Sequence, residues 1–357
     1  MLCMILVSCT GQKTGKENDN NDKIAIEVGE IKFPPQDVLQ LKSYYLSSSV
    51  HVDSIDYLIG YNYRLHSLDC MNLKSKSVTQ IVLPGDGPDA IVRLSGIYAQ
   101  SLDSVWISDE SERAFLIDSV GTIKRMIDLK KYLEDQEQLL INTNYAMFTS
   151  HLFYNASRHS LMFLVKHTPS NTFIVKEAFI DEVGKMATYQ LSSSKVVPDM
   201  SKGYAYINFP NVNFVGENIV YNYPVESSIY MLDIRTNERK YILADSHYTS
   251  NIIEKCTTSG DYATLEKHWL ENSHFYDIMY LPKYKIYARL HADKVDFDEK
   301  KGMEKLINER DLYLMLFDEN MEKIGETKLS NCRYSPFTSW NATYGGIALF
   351  VDNVLDE

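Results

Sequence analysis

The sequence predicts an all-β protein, a β-propeller of about six four-stranded blades, with the N- and C-terminal strands closing the last blade. Three observations predict it. Apolar runs of strand length are separated by turn residues, one hairpin pattern recurs five times, and only three segments have a helical pattern. The length of 357 residues and the hydrophobic content of 45% allow a large core. A chain of this length has either two domains or one repetitive domain, and the recurring hairpin favours the second.

Residues 1–8 are predicted to be an export signal. Met1–Val7 is an apolar run that is too short to span a bilayer, and it ends in Leu6-Val7-Ser8-Cys9 before a polar stretch. This tetrad resembles the bacterial lipoprotein signal, in which the cysteine becomes the lipidated first residue. The resemblance implies that Cys9 is the site of lipid attachment. The absence of Lys or Arg before the run departs from that signal, and a start codon upstream of Met1 would explain the departure.

The predicted organisation after the signal is simple. Residues 9–22 are almost free of apolar side chains and are predicted to be a flexible tether. Residues 23–357 are predicted to form a single propeller domain. The N-terminal lipid would then attach the protein to a membrane of the cell envelope, either the outer membrane or a surface that faces the periplasm.

The recurring hairpin begins with a strand that ends in Asp, continues through a short polar turn and enters a second strand. Aspartate suits this position because its carboxylate accepts hydrogen bonds from backbone N–H groups of the turn. A β-sandwich does not explain the repetition, and a doubly wound sheet needs a helix after nearly every strand. The five aspartates are Asp69, Asp118, Asp181, Asp233 and Asp318.

A last unit is incomplete at the C-terminus. Phe337–Trp340 and Gly346–Val351 supply two strands only. The outer strands of this unit are predicted to come from Ile24–Val28 and Leu41–Leu46, which would close the ring.

Long connections are predicted to lie on one face of the ring and the short Asp hairpins on the other. Long loops on a rigid scaffold either bind ligands or cap the channel. The three helical patterns fall in this set, at Lys130–Leu140, Tyr262–Glu271 and Glu299–Arg310. The long connections are Pro84–Ala90, Lys130–Asn144, Ser192–Tyr204, Ala244–Asn272 and Ala292–Arg310.

The signal, the roughly six hairpin units and the loop Leu83–Ala90 together resemble the six-bladed propeller lipoproteins of gut Gram-negative bacteria, the family called domain of unknown function 4221. The resemblance implies a propeller fold and an envelope location. It implies no activity and carries over no functional residues.

Charge and cysteine content exclude several classes of function. The formal net charge of -12, with no basic stripe, argues against a nucleic-acid partner. The cysteines have no zinc-type spacing, and no metal or cofactor is predicted. Removal of the signal leaves Cys70, Cys256 and Cys332, besides the lipidated residue, so one disulfide among these three stays possible.

Two stretches resemble ligand-binding motifs. Gly85–Ala90 matches a dinucleotide pattern, with Asp109 about twenty residues further on. Pro88 removes an N–H from that loop and no helix follows it, which favours a tight turn. Asp293 and Asp296 belong to an acidic stretch whose spacing differs from a helix–loop–helix calcium site, which favours a solvated loop.

No strong catalytic signature is present, and no catalytic residue is assigned. The sequence therefore predicts a non-catalytic binding or scaffold protein that holds a glycan, a peptide or a partner protein on the long-loop face. The alternative is a hydrolase or lyase acting on a sugar or small ester, with carboxylates or a metal at the channel mouth. Asp109, Asp293 and Asp296 are the weak candidate ligand residues.

We expect Cys9→Ser to abolish lipid attachment, because only the thiol of the residue after the signal is modified. Cells producing the wild-type protein with labelled palmitate should yield a labelled band in the membrane fraction, and the variant should lose both label and membrane association. Cys3→Ser, within the signal, is the matched control and should keep the label. A labelled Cys9→Ser protein would contradict the assignment.

Overall fold

A computed structural model describes residues 2–8, 25–34, 44–140, 151–196, 209–256, 261–329 and 340–350. Within these ranges the chain forms twenty-five strands, two α-helices and one short 3₁₀ helix. Every strand pairs with its neighbours in antiparallel fashion. The alternation of buried and solvated positions that antiparallel sheets require is present in the outer strands, whereas the inner strands are buried on both faces.

Five blades are each built from strands that follow one another in the chain. Blade 1 contains β3 (Ser47–Val52), β4 (Ile55–Asn62), β5 (Ser67–Asn72) and β6 (Val78–Val82). Blade 2 contains β7 (Leu94–Ser101), β8 (Ser104–Asp109), β9 (Arg113–Ile117) and β10 (Ile123–Asp128). Blade 3 contains β11 (Glu137–Leu139), β12 (Phe153–Asn155), β13 (Ser160–His167), β14 (Thr172–Phe179) and β15 (Met186–Gln190). Blade 4 contains β16 (Asn211–Val215), β17 (Asn218–Asn222), β18 (Ile229–Asp233) and β19 (Arg239–Ile242). Blade 5 contains β20 (His274–Leu281), β21 (Ile286–Ala292), β22 (Leu312–Phe317) and β23 (Lys323–Lys328).

The remaining strands form a terminal sheet from both ends of the described chain. Its order is β2 (Ala25–Ile31), β1 (Leu2–Ser8), β25 (Gly346–Phe350) and β24 (Trp340–Ala342). We therefore count five blades rather than the predicted six, because this sheet is not a unit of the repeat. Blade 3 also departs from the four-strand rule, since β11 and β12 both pair with β13.

The predicted closure by N-terminal strands is right for only one of its two segments. The strand at Ala25–Ile31 is the outermost of the terminal sheet, close to the predicted Ile24–Val28. The second segment contributes no strand within its described part, Tyr44–Leu46, and its first residues lie outside the described ranges. Leu2–Ser8 fills that place instead, although the sequence assigns this segment to the export signal. That assignment stays a prediction.

The recurring hairpin joins the third and fourth strands of each blade, as predicted, and in three blades Asp plays the predicted part. The carboxylate of Asp118 accepts from the N–H groups of Val120 and Thr122. Asp233 and Asp318 accept from the N–H groups of their own turns in the same manner.

The predicted role is wrong for the other two aspartates. Asp69 lies inside β5 and is fully buried, and the turn of that hairpin is held by Asn72, whose Oδ1 accepts from Lys74 and Ser75 N–H. Asp181 binds His159 and Arg125 instead of its own turn. A strand-ending Asp and an internal Asp look alike in the sequence, since only pairing register separates them.

The two faces of the ring follow from strand order. Turns that join first to second and third to fourth strands lie on one face, here called the turn face. Connections from second to third strands and from one blade to the next lie on the opposite face, here called the loop face.

Two of the three predicted helices are present on the loop face. The α-helix α1 spans Tyr262–Leu270, close to its prediction, and α2 spans Met303–Glu309, shorter than predicted. The prediction at Lys130–Leu140 is wrong: a 3₁₀ helix covers Leu129–Tyr132, and β11 follows because it pairs with β13.

The innermost strands close a ring, and each consecutive pair shares a specific contact. The ring runs β3, β7, β12, β16, β20, β24 and back to β3. The contacts, in order, are Ala99 N–H to Ser48 Oγ (3.0 Å), Tyr98 to Phe153 (ring centroids 5.2 Å), Phe153 to Phe214 (5.0 Å), Asn213 Nδ2 to Ile278 O (2.9 Å), Trp340 Nε1 to Asp277 Oδ1, and Asn341 Nδ2 to Ser47 Oγ.

The hydrophobic core is divided among the interfaces between consecutive sheets. Ile59 and Leu68 of blade 1 pack with Leu94 and Phe115 of blade 2, and each later interface has a cluster of the same kind. The cluster between blades 3 and 4 also receives Leu270 of α1 and Leu306 and Ile307 of α2. These helices are thus part of the core, which explains why a helical pattern persists in an all-β chain.

Arg289 links blades 4 and 5 from inside the core. Its guanidinium is fully buried over the rings of Phe275 and Phe317, at 4.8 Å and 5.8 Å. It donates to the carbonyl oxygens of Ser227 and Ala244, and burial lowers its pKa. A buried cation that satisfies loop carbonyls fixes those loops against the next blade.

Gly121 and Gly184 provide a matched test of how closely the blades pack. Both lie in third-to-fourth turns with positive φ, at 86° and 82°. A Cβ on Gly121 would lie 2.3 Å from the carbonyl oxygen of Val82 in the next blade, whereas one on Gly184 meets nothing within 4 Å. Gly184→Ala should cost about 1 kcal/mol from backbone strain alone.

Gly121→Ala should cost about 3 kcal/mol or more, because the clash adds to the same strain. Urea unfolding of the two variants and the wild type measures the difference. Equal destabilisation by both substitutions would show that Val82 is not packed against this turn.

Candidate ligand-binding site

A cavity of about 360 Å³ lies in the central channel and is lined by residues of all six innermost strands or the segments next to them. This volume is within the range of small-molecule sites. The lining comprises Ser47, Ser48, Ser49, Ile97, Tyr98, His151, Leu152, Phe153, Asn213, Phe214, Val215, Gly216, Met279, Tyr280, Pro282, Asn341 and Ala342.

The cavity reaches the turn face. Gly216 follows β16 and Pro282 follows β20, and both belong to turns that join first and second strands. The sequence placed the binding surface on the loop face instead. The cavity differs from that expectation because the ends of the innermost strands, rather than the long connections, form its wall.

An aromatic group occupies the same wall in four consecutive blades. The ring of Tyr98 meets Phe153 edge to face, and Phe153 stacks on Phe214 with an interplanar angle of 13°. Tyr280 continues the series on β20 and packs on Tyr287. Aromatic rings present broad apolar surface with little loss of side-chain entropy on binding.

Two tyrosine hydroxyls in the wall are available to a ligand. Neither Tyr98 nor Tyr280 makes a side-chain hydrogen bond to any residue of the described ranges, and both side chains are half-buried. Burial raises the pKa of Tyr98, with a smaller effect from Tyr154, and burial followed by the charge of Glu319 raises the pKa of Tyr280. Both phenols are therefore neutral at ordinary pH and can both donate and accept.

A polar bridge crosses the channel. His151 Nε2 lies 2.9 Å from Asp277 Oδ2, and the other carboxylate oxygen accepts from Trp340 Nε1. His151 precedes β12 in blade 3 and Asp277 lies in blade 5, so the contact spans the lumen past blade 4. The backbone N–H of His151 also donates to the carbonyl of Val212.

The bridge orients the imidazole. Asp277 is completely buried, whereas about a fifth of the His151 side chain is exposed, at 21%. A carboxylate that faces Nε2 requires the proton there, so the neutral ring keeps Nδ1 as its acceptor. The exposed part of the His151 side chain, which includes Nδ1, faces the cavity.

The small polar residues of the wall already have structural partners. Ser48 accepts from Ala99 N–H, and Ser49 donates to the carbonyl of Ala342. Asn213 donates to the Ile278 carbonyl and accepts from Phe214 N–H. These contacts maintain the shape of the wall, because each joins neighbouring innermost strands or fixes a strand locally.

Formal charge is scarce in the site. Among the described residues, the wall contains no Lys, Arg, Asp or Glu, and Asp277 stands behind it. In the part of the chain that the structure describes, no group of three or more His, Cys, Asp or Glu side chains is placed to hold a metal ion. A ligand bound in this cavity would thus meet hydroxyls, one imidazole and aromatic rings.

Asp109, a candidate from the sequence, is fully buried at the end of β8. Its carboxylate accepts from Arg113 Nη2 at 2.8 Å, from Ser111 Oγ at 2.6 Å and from the N–H of Val92. These contacts fix the turn between β8 and β9 and use both carboxylate oxygens. Asp109 does not line the cavity.

Asp293 and Asp296 lie after β21 on the loop face, away from the cavity wall. Asp293 is half-buried and Asp296 is exposed. Arg310, whose burial lowers its pKa, donates to the backbone carbonyl of Asp293 and so holds this loop. The structure does not bring the three candidate aspartates together.

The cysteines of blade 1 and of the loop before α1 do not line the cavity. Cys70 and Cys256 are both buried and are not joined to each other. Burial, followed by the charge of Asp69, raises the pKa of the Cys70 thiol to about 12. Cys9 and Cys332 lie outside the described ranges.

Sequence reasoning missed the four residues that define the site: Tyr98, His151, Asp277 and Tyr280. A signal for two of them exists, because four first strands carry an aromatic residue shortly before their first turn, as in Ile97-Tyr98 and Met279-Tyr280. His151 and Asp277 are 126 residues apart. No spacing rule predicts such a contact.

The closed ring of antiparallel sheets around a channel defines this protein as a β-propeller. The match of residues 17–328 to the family model described as domain of unknown function 4221 shows that the chain belongs to that family. The family predicted from the sequence is thereby confirmed, whereas the lipoprotein character stays a prediction.

Two solved structures show the same fold. A member of the family from Bacteroides vulgatus superposes with a TM-score of 0.69 at 15% identity, covering 89% of each chain. A candidate exported protein from Bacteroides fragilis superposes with a TM-score of 0.50 at 14% identity, covering 84% of this chain and 75% of its own. Among curated proteins, none matches the sequence.

The described residues contain no helix with the length and apolar character needed to cross a membrane.

Proposed function

We propose that this protein is a lipid-anchored binding protein of the bacterial envelope whose central channel holds a small uncharged ligand. The lining of the cavity carries this proposal: two tyrosine hydroxyls without partners among the described residues, a fixed imidazole and a row of aromatic rings. Such a surface offers apolar contact together with a few directed hydrogen bonds, which is the pattern of a ligand pocket.

The anchor rests on the sequence. Cys9 follows a short apolar run and precedes a polar tether, and this arrangement supports attachment to the outer membrane or to a surface that faces the periplasm. The solved neighbour from Bacteroides fragilis is described as a candidate exported protein, which agrees with this location.

A small ligand is favoured over a protein partner within the channel. The His151–Asp277 bridge crosses the lumen, so a long polymer cannot thread past it, and the volume of about 360 Å³ suits a compact molecule. An uncharged ligand is favoured because desolvating a charge without an opposite charge nearby is costly.

Ser49→Phe tests the site by filling it. Ser49 is half-buried in the wall, so a phenyl group there should remove the space for a ligand. We expect saturation-transfer NMR to show transfer of saturation from the wild-type protein to at least one ligand, and at least tenfold less transfer from the variant. The ligands are offered as a mixture of glucose, N-acetylglucosamine, uridine and a neutral dipeptide amide. Thr236→Phe, on an exposed turn, is the matched control and should behave as the wild type.

Circular dichroism establishes that each variant is folded. If Ser49→Phe does not fold, Ala342→Leu fills the same cavity from β24. The proposal would be overturned if no saturation passed from the wild type to any ligand. It would also be overturned if Ser49→Phe, or Ala342→Leu in its place, gave as much transfer as the wild type.

The His151–Asp277 pair favours a second candidate function, a hydrolase acting on a small ester or sugar. A buried carboxylate that orients a histidine is the arrangement of a general base. In ester hydrolysis Nδ1 would take a proton from the attacking water, the acyl–oxygen bond would break, and the same proton would pass to the leaving alcohol. The two carboxylates that the sequence expected at the mouth do not converge within the described residues.

His151→Gln separates this candidate from simple binding. If the protein is a hydrolase, the wild type should cleave p-nitrophenyl acetate or p-nitrophenyl glycosides and the variant should be slower by at least a hundredfold. A matched change at an exposed site, His247→Gln, should have no effect on the rate. A wild-type protein without turnover, or a variant with an unchanged rate, removes the hydrolase from consideration.

A further inference from the structure

The geometry of the cavity points to a neutral pyranose sugar as its ligand. Its hydroxyl groups would form hydrogen bonds with Tyr98, Tyr280 and His151. This inference rests on the proposed function, since it names the class of the small uncharged molecule.

Size is the first argument. A volume of about 360 Å³ lies at the small end of the range of ligand pockets, and one hexose or N-acetylhexosamine fits within it.

Shape and polarity are the second argument. A pyranose ring has two faces of C–H groups and a rim of hydroxyls. Its binding site therefore needs a flat apolar surface against a face of the ring and polar groups around the rim. The wall provides both, because Tyr98, Phe153 and Phe214 form a continuous aromatic surface and the tyrosine hydroxyls lie on strands β7 and β20 on either side. Aromatic faces with a polar tip suit such amphipathic ligands.

Hydrogen-bond type is the third argument. A sugar hydroxyl both donates and accepts, and so does a neutral phenol. The imidazole of His151 accepts at Nδ1 when Asp277 holds the proton on Nε2, so it selects a donor from the ligand. A hydroxyl or an acetamido N–H supplies that donor.

Charge is the fourth argument, and it excludes the acidic sugars. No Lys or Arg of the described ranges lines the wall, and the carboxylate of Asp277 stands 2.9 Å behind the imidazole. A uronate or a sialate would bring a second carboxylate toward Asp277 without a cation to accompany it. The chain as a whole is acidic, with a net charge of -12, which adds to the same repulsion.

Isothermal titration tests the inference on the full mature protein with glucose, galactose, mannose, N-acetylglucosamine and glucuronate as probes. At least one neutral pyranose should bind, and glucuronate should bind at least tenfold more weakly than glucose or not at all. Tyr98→Phe and Tyr280→Phe should each lower the affinity for the neutral pyranose by about two- to tenfold, because each substitution removes one hydrogen bond to the sugar.

The matched control is Tyr57→Phe, which removes a hydroxyl that accepts from Asn72 away from the cavity, and it should leave the affinity unchanged. Both cavity variants keep the aromatic ring, so a loss of affinity reports the hydroxyl rather than packing.

The outcomes separate the two proposals. Suppose that uridine or the dipeptide amide binds, that Ser49→Phe abolishes this binding, and that no pyranose binds. This result would falsify the sugar assignment and leave the binding function intact. Glucuronate binding as tight as glucose would also overturn the assignment. If none of the probes binds the wild type, both proposals fail.

Discussion

Closure of the ring of innermost strands is the constraint on which the rest of this structure depends. Each strand of the ring contacts the next through one identifiable pair, and the last pair, Asn341 with Ser47, joins the terminal sheet to blade 1. The hydrophobic cluster between blade 1 and the terminal sheet, which includes Leu58 and Ala348, exists only when the ring is closed. The channel cavity results from the same closure, because six innermost strands around an axis leave a space that their side chains only partly fill.

The residues that close the ring also shape the site. Asp277 accepts from Trp340 in the terminal sheet and faces His151 from blade 3, so one buried carboxylate fixes both the last interface and the bridge across the channel. A buried carboxylate requires such partners, because an unpaired one would be strongly destabilising. Stability and the shape of the cavity are therefore coupled at this residue, whereas the hydroxyls of Tyr98 and Tyr280 have no hydrogen-bond partner among the described residues.

The position of the cavity changes how this family of unknown function is viewed. Long connections on the loop face attract attention because loops carry function in many folds. Here two of them carry α1 and α2, whose apolar residues complete the core between blades 3 and 4. The cavity instead lies among the strand ends of the turn face, where the residues are held rigidly and are already oriented for a ligand.

The sequence by itself determined the all-β class, the hairpin repeat, the helix at Tyr262–Leu270 and the family, because these depend on local periodicity, turn chemistry and composition. It could not determine the pairing register that buries Asp69 or the strand that replaces a helix after Tyr132, because register is a property of the sheet. Only the tertiary structure decided the site. His151 and Asp277 meet because the ring brings blade 3 and blade 5 close together around one narrow channel, and a contact between residues so far apart in the chain leaves no local pattern in the sequence.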